Sequence, residues 1–254
     1  MSFLPGLDLH AHIDPTIAPH ELKSLDAVVF AATRSLEESD LALRRDDART
    51  IWGVGCHPGL AGAQKAFSAS EFRSQLERTA FVGEVGLDGK SRVPIAKQEE
   101  TLTKVLTALT DHPRIVSLHS YAATSEVLQL AERWRSPGMV LHWWLGSPKD
   151  TIRAIEIGAY FSINTASIRR PEILELIPLE RLLPETDHPH GDRKRSGISR
   201  PGYIGDVESA VAKIHGLTDD AVRLQLWKNF AALVSEAGVG SLLPREVRVI
   251  IASL

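Results

Sequence analysis

The chain is nearly without cysteine: Cys56 is the only one among 254 residues. No intrachain disulfide can form, which fits a reducing compartment rather than a disulfide-stapled secreted fold. No run of 18 apolar residues occurs, so no segment reads as membrane-spanning. The first residues show no basic stretch leading into an apolar core and cleavage site. Together these absences make a cytoplasmic protein the expectation. Charge of one sign is also missing. The formal net charge is only −3, so any contact with nucleic acid has to come from a local basic patch and not from a global field. There is no internal repeat, low-complexity tract or linker, and residues 1–254 read as one domain.

What is present is alternation. Short apolar runs at 7–12, 27–33, 51–57, 81–88, 114–120, 139–144, 159–164 and 182–187 read as strands covered on both faces. Helical patterns lie between most of them. Leu102, Val105, Leu106 and Leu109 make one apolar stripe, and Val127, Leu128, Ala131 and Trp134 another. Ser35 before Glu38 and Ser68 before Glu71 look like capping boxes. Leu226, Phe230, Leu233 and Val234 give the inner face of a closing helix. Eight strands followed by helices predict an α/β fold, a (β/α)8 TIM-type barrel of regular or distorted form, with an open doubly wound sheet as the competitor. Residues 188–205 lack periodicity and read as a long functional loop.

The polar residues of interest fall at the ends of these strands. His10 and His12 end the first, Glu84 lies in the fourth, His119 ends the fifth, His142 is in the sixth and Asp187 ends the eighth. In a barrel those ends meet on one rim. Residues two apart in a strand point the same way, so His10 and His12 can face the axis together. Imidazole and carboxylate suit zinc, manganese or iron. A carboxylate such as Glu84 can give one oxygen to each of two cations roughly 3.5–4 Å apart, close enough to clamp a phosphate. Taken singly, each has a plain alternative. His119 or His142 could be a hydrogen-bonded core histidine, and Asp187 could cap the loop after it. Glu84 is harder to explain away, because an unpaired carboxylate inside a strand is costly to bury.

Six stretches occur in order along nearly the whole chain: Asp8-Leu9-His10-Ala11-His12-Ile13-Asp14, Gly53-Val54-Gly55-Cys56-His57-Pro58, Gly83-Glu84-Val85-Gly86-Leu87-Asp88, Leu118-His119-Ser120, Val140-Leu141-His142 and Leu183-Pro184-Glu185-Thr186-Asp187. In these the sequence resembles the TatD family of metal-dependent deoxyribonucleases, a branch of the amidohydrolase barrels. The resemblance implies phosphodiester hydrolysis on DNA, often exonucleolytic, with magnesium, zinc or manganese as divalent ions. It implies one ion on His10, His12, Glu84 and Asp187, and a second on Glu84, His119 and His142. It departs from the family at Gly89-Lys90, at His188-Pro189-His190 and at Ser199-Arg200-Pro201-Gly202, all on the rim expected to contact substrate. This divergent form is also similar to the TatD-like subunits of anti-phage systems that encode a QueC-like protein and an ATPase, which implies protein partners in a multi-subunit complex.

In the mechanism that follows, Asp187 takes the proton of the attacking water and Glu84 bridges the ions. His57 either orients a phosphate or metal-bound group, or merely shapes the turn at Pro58. Arg193, Lys194, Arg195 and Arg200, with Lys90 and Arg92, could grip phosphates or form a solvated loop. Trp143 or Trp144 could stack on a base, with barrel packing accounting for at least one of them. Cys56 reads as a small buried hydrophobe and Asp88 as a partner of a ligand histidine or a strand terminator. The rival functions are an amidohydrolase acting on a small C–N or ester substrate, a nucleic-acid-binding protein without catalysis, against which the intact ligand set argues, and a scaffold subunit of a larger complex.

Overall fold

In the computed structural model, which describes residues 4–191 and 200–254, all eight expected strands form. They are β1 (Gly6–Ala11), β2 (Ala27–Ala31), β3 (Thr50–Trp52), β4 (Phe81–Gly86), β5 (Ile115–His119), β6 (Met139–Leu141), β7 (Tyr160–Ile163) and β8 (Leu182–Pro184). The helices are α1 (Pro19–Lys23), α2 (Leu36–Ala42), α3 (Ala61–Ala66), α4 (Ala69–Leu76), α5 (Ile95–Asp111), α6 (Thr124–Trp134), α7 (Pro148–Glu156), α8 (Pro171–Leu174), α9 (Gly205–His215), α10 (Asp219–Ala237) and α11 (Arg245–Ala252). Both serine caps form: Ser35 accepts from Glu38 N–H and Ser68 from Glu71 N–H.

Every pairing is parallel, in two runs, β1-β2-β3 and β4 through β8. Two seams close these into a distorted TIM-type barrel. At the first, Val54 bridges Val82, and Cys56 N–H donates to Glu84 O at 2.9 Å. This seam needs glycine. A Cβ on Gly55 would lie 2.0 Å from Thr33 O and 2.6 Å from Gly83 O. At the second, Asp187 N–H donates to His10 O and His12 N–H to His188 O, both at 2.8 Å. A side chain reinforces it: Asp8 accepts from Thr186 N–H at 2.8 Å and Thr186 O–H at 2.7 Å.

Three strands are shorter than their apolar runs. After β3 the chain leaves regular pairing to make the glycine seam. After β6, Trp143 adopts φ +41°, and beyond β8, Asp187 adopts φ +46°. Non-glycine residues rarely take such angles, and when they do it is often at a functional site. The N-terminal end of the barrel is plugged by α10, whose Trp227, Phe230, Leu233 and Val234 are buried against Leu7, Phe30, Phe81 and Leu183. The outer layer is apolar as well, with the α5 and α6 stripes packed on β4 through β7.

Candidate metal centre

The C-terminal end of the barrel gathers all six expected ligands, and His57 with them. Glu84, on β4 and 2% exposed, stands at the centre. Its Oε2 lies 3.3 Å from His12 Nε2, 3.4 Å from His57 Nε2 and 3.9 Å from His10 Nε2. Its Oε1 lies 3.2 Å from His142 Nε2 and contacts His119 Nδ1. Asp187 Oδ1 is 3.7 Å from the Nε2 atoms of both His10 and His12. The two oxygens of one carboxylate therefore look toward two different groups of imidazoles.

Hydrogen bonds on the far side of each ring set which nitrogen carries the proton. His12 Nδ1 lies 3.1 Å from Ala32 O, which can only accept, so Nδ1 donates and the neutral ring would turn its Nε2 lone pair on the cluster. His142 Nδ1 lies 3.3 Å from the Glu185 carboxylate, with the same result. His10 Nδ1 pairs with Ser117 Oγ at 2.7 Å. His57 is the reverse. Its Nδ1 accepts from Gly59 N–H at 2.9 Å, so the neutral ring carries its proton on Nε2. His57 thus offers the cluster a donor where His12 and His142 offer lone pairs.

These imidazoles and carboxylates face one another in a buried space. Burial and the neighbouring His142 hold His10 far below the usual imidazole range, with Glu84 opposing. Burial also lowers His57, against the pull of Glu84. His12 is raised: burial works against its charge, but its bond to Glu84 and the charges of Glu84 and Asp187 outweigh it. His142 is raised well above the ordinary value in the same way, by Glu185 and Glu84 against burial. Glu84 falls well below the carboxylate range, because His119 and His57 overcome the cost of burial. Asp187 is pushed up to about 8 by burial, with Glu185 and Glu84 adding to it and His142 opposing.

The spacing fits divalent cations. Ligands held about 2.0–2.2 Å from an ion stand roughly 3.0–3.6 Å from one another around a tetrahedron or octahedron. His10 Nε2 and His12 Nε2 are 3.4 Å apart, and the contacts of both rings and of His142 with carboxylates run from 3.2 to 3.9 Å. Among the described residues, three groups keep their ligand atoms within 4.8 Å of one another: His10 with His12 and Asp187, His57 with Glu84 and His119, and His10 with His142 and Glu185. His119 Nε2 is buried without a hydrogen-bond partner, 3.9 Å from Asp88 Oδ2.

Two buried carboxylates of this end were not singled out from sequence. Glu185 is fully buried and accepts from Trp143 N–H at 2.9 Å, from Asn164 Nδ2 at 3.0 Å, from the Ser162 hydroxyl and from His142. Asp8 accepts from Gly202 N–H as well as from Thr186, and burial raises it to about 6 against those bonds. Each left a sequence signal: an acidic residue inside an otherwise apolar strand is expensive unless it is paired.

The expected substrate contacts divide. Trp144 is core, its indole N–H donating to Thr151 Oγ1 at 2.8 Å, while Trp143 lines a cavity beside His119 and His142. Arg200 is not brought to the cluster. Its guanidinium donates at 3.3 Å to Ser24 O, the C-cap of α1, near the N-terminal ends of the strands. Arg193, Lys194 and Arg195 lie outside the described residues. No helix among the described residues is long and apolar enough to cross a membrane.

Solved structures share this fold. The TatD homolog YJJV of Escherichia coli k12 superposes with a TM-score of 0.80 at 22% identity, covering 90% of this chain and 97% of that one. A TatD family hydrolase from Entamoeba histolytica gives 0.76 at 14% identity, covering 91% and 98%. Among sequences, a protein of Cronobacter turicensis named 3'-5' ssDNA/RNA exonuclease TatD is 31% identical over 190 residues, 70% of this chain and 72% of the relative. The metal-dependent hydrolase YcfH of Escherichia coli (strain K12) is 25% identical over 251 residues, 91% and 92%. The pattern of the TatD-related DNases matches residues 7–235, with the histidine and carboxylate cluster inside that span, and the chain belongs to this family.

Proposed function

We propose that this protein is a two-metal phosphodiester hydrolase that removes nucleotides from nucleic-acid ends, with DNA as substrate. The observation that carries the reading is Glu84, with Oε2 toward His12 and Oε1 toward His119 and His142. In this reading His10, His12, Glu84 and Asp187 hold one divalent ion, and Glu84, His119 and His142 the other. Bound there, zinc, manganese or magnesium would acidify a water and offset charge on the phosphate. Nitrogen-rich ligation favours zinc or manganese for affinity. Asp187, ionised once a cation is bound beside it, is the group that takes the proton from the attacking water. His57 stays neutral and donates from Nε2 to a phosphate oxygen. Glu185 fixes the His142 ring so that its Nε2 lone pair stays on the cluster. A strand-four glutamate also argues for phosphodiesters over the C–N and ester substrates of amidohydrolase barrels, whose bridging group is often a carbamylated lysine.

The test is degradation of end-labelled single- and double-stranded DNA by metal-stripped protein. Activity is expected only after a divalent ion is restored, and Glu84→Gln should not recover it. Full activity in EDTA would overturn the reading. An anti-phage role in a multi-subunit complex rests on the departures from the family at 89–90, 188–190 and 199–202 alone. A plaque assay comparing the native chain with Glu84→Gln tests it, and equal protection by both would remove it.

A further inference from the structure

A cavity of about 320 Å³ opens beside the metal centre, lined by His119, Ser120, Tyr121, His142, Trp143 and Leu145. Two of these residues also belong to the proposed second ion's site, so anything seated in the cavity has one end at that ion. The remaining walls come from the loops after β5 and β6 and are mostly apolar. Tyr121 is 50% exposed and Leu145 39% exposed. Neither is used by the core, and large apolar side chains grouped at the mouth of a polar site mark a binding surface. Among the described residues, no carboxylate lines the space.

The cavity's shape depends on specific bonds. Trp143 takes φ +41°, and its N–H donates to Glu185 Oε1 at 2.9 Å. The same carboxylate that orients His142 therefore sets the turn carrying the indole. Basic residues sit on the neighbouring loops after β4 and β7. Arg170 donates to Leu145 O at 2.8 Å. Gly89 N–H donates to Tyr121 O at 2.8 Å, and a Cβ on Gly89 would stand 2.2 Å from Ala122 O. That close approach brings the loop after β4, which carries Lys90, against the loop after β5.

The geometry points to a nucleobase pocket: the base of the nucleotide at the scissile phosphate sits between Tyr121, Trp143 and Leu145. Arg170 and Lys90 meet phosphates on either side. The apolar walls match the face of a base, the histidine floor matches its attached phosphate at the metals, and the flanking cations match the polyanion. This inference rests on the proposed phosphodiesterase reading but has its own readout.

The experiment is calorimetric titration of the zinc-loaded protein with deoxyadenosine 5'-monophosphate and with deoxyribose 5-phosphate. One buried base–aromatic contact is expected to lower Kd for the nucleotide by about tenfold relative to the sugar phosphate. Tyr121→Ala and Leu145→Ser should each bring that ratio toward one, and both positions are exposed enough to change without loss of the fold. The same ratio should appear in turnover of DNA ends bearing a normal base against ends bearing an abasic site. Equal binding of the two ligands, or no binding of either, overturns the pocket even when DNA is hydrolysed. Base-dependent binding without DNA hydrolysis overturns the proposed activity and leaves the pocket standing.

Discussion

The two ends of the barrel satisfy their polar atoms in opposite ways. At the N-terminal end the polar groups around the plugging helix have close partners. Trp227 donates to Pro5 O at 2.9 Å, Asn229 Nδ2 to Leu179 O and Leu182 O at 2.7 and 2.8 Å, and Tyr160 to Glu236 at 2.9 Å. Around them α10 packs aromatic rings, with Phe230 5.4 Å from Phe30 and 5.7 Å from Trp227. At the C-terminal end the balance fails. Imidazoles and carboxylates crowd together there, with His12 and His142 against Glu84, and Asp187 takes a left-handed backbone angle. Burial makes the ionised form of Asp187 costly, and a bound cation would offset that cost. One end is built for stability, and the other carries a cost that only a function explains.

Substitutions at the two ends should therefore fail differently. The largest effect is expected at Glu84. Glu84→Gln keeps the shape and removes the charge that the two proposed ions would share, so kcat/KM should fall by about 10⁴-fold, with loss of bound metal. Elemental analysis and a nuclease assay check both. A variant that kept its metal and activity would make the C-terminal end merely another packed surface. Phe230→Ala probes the opposite end. It should cost roughly 3–5 kcal/mol of stability in denaturant titration, while turnover per folded molecule stays unchanged. A change in turnover without a change in stability would dissolve the distinction.

The asymmetry between the ends was partly readable in the sequence. The strands announced themselves as apolar runs between helical stripes, and six histidine and carboxylate residues on those strands sufficed to place the cluster. Their limits were less legible. The run through Met139–Leu141 continues apolar to Trp144, but a left-handed Trp143 ends the strand. Nothing in Trp143-Trp144 says which indole packs inward, because the usual alternation stops at that residue. Asp8 and Glu185 were hidden for another reason. Their roles depend on strands β1, β6, β7 and β8 meeting in space, which no local pattern encodes. Arg200 was read with the basic run before it, although its partner is Ser24, 176 residues away in sequence.

Glu185 gives a sharper probe of the C-terminal end, since it touches His142 and not Glu84. Glu185→Gln keeps a hydrogen-bond acceptor for His142 Nδ1 but removes the charge that holds the ring. Metal affinity should weaken about 10–100-fold, as for other carboxylates that orient a ligand histidine. Competition with a chelator measures this. An unchanged affinity would assign Glu185 only to the Trp143 turn.

The smallest effect is a pH dependence confined to one end and to one state. In the metal-free protein Asp187 holds its proton up to about pH 8, against an ordinary value of 3.8. Between pH 7 and 9 the unfolded chain has no proton on this group, while the folded chain starts with one and gives it up. The folded state therefore binds more protons, and stability falls as pH rises through 8. Across that window the loss is about 1.4 kcal/mol, or a drop of roughly 3–5 °C in Tm for a chain of this size. His12 and His142 are raised too, and they act in the same direction as they deprotonate. Metal binding needs the ionised carboxylate and so removes the slope. Thermal unfolding at pH 7 and 9, in EDTA and in zinc, isolates the difference. The stripped protein should lose its extra degrees at pH 9 and the loaded protein should not. Parallel curves would mean that the buried carboxylate at the C-terminal end is held as quietly as the asparagine at the other.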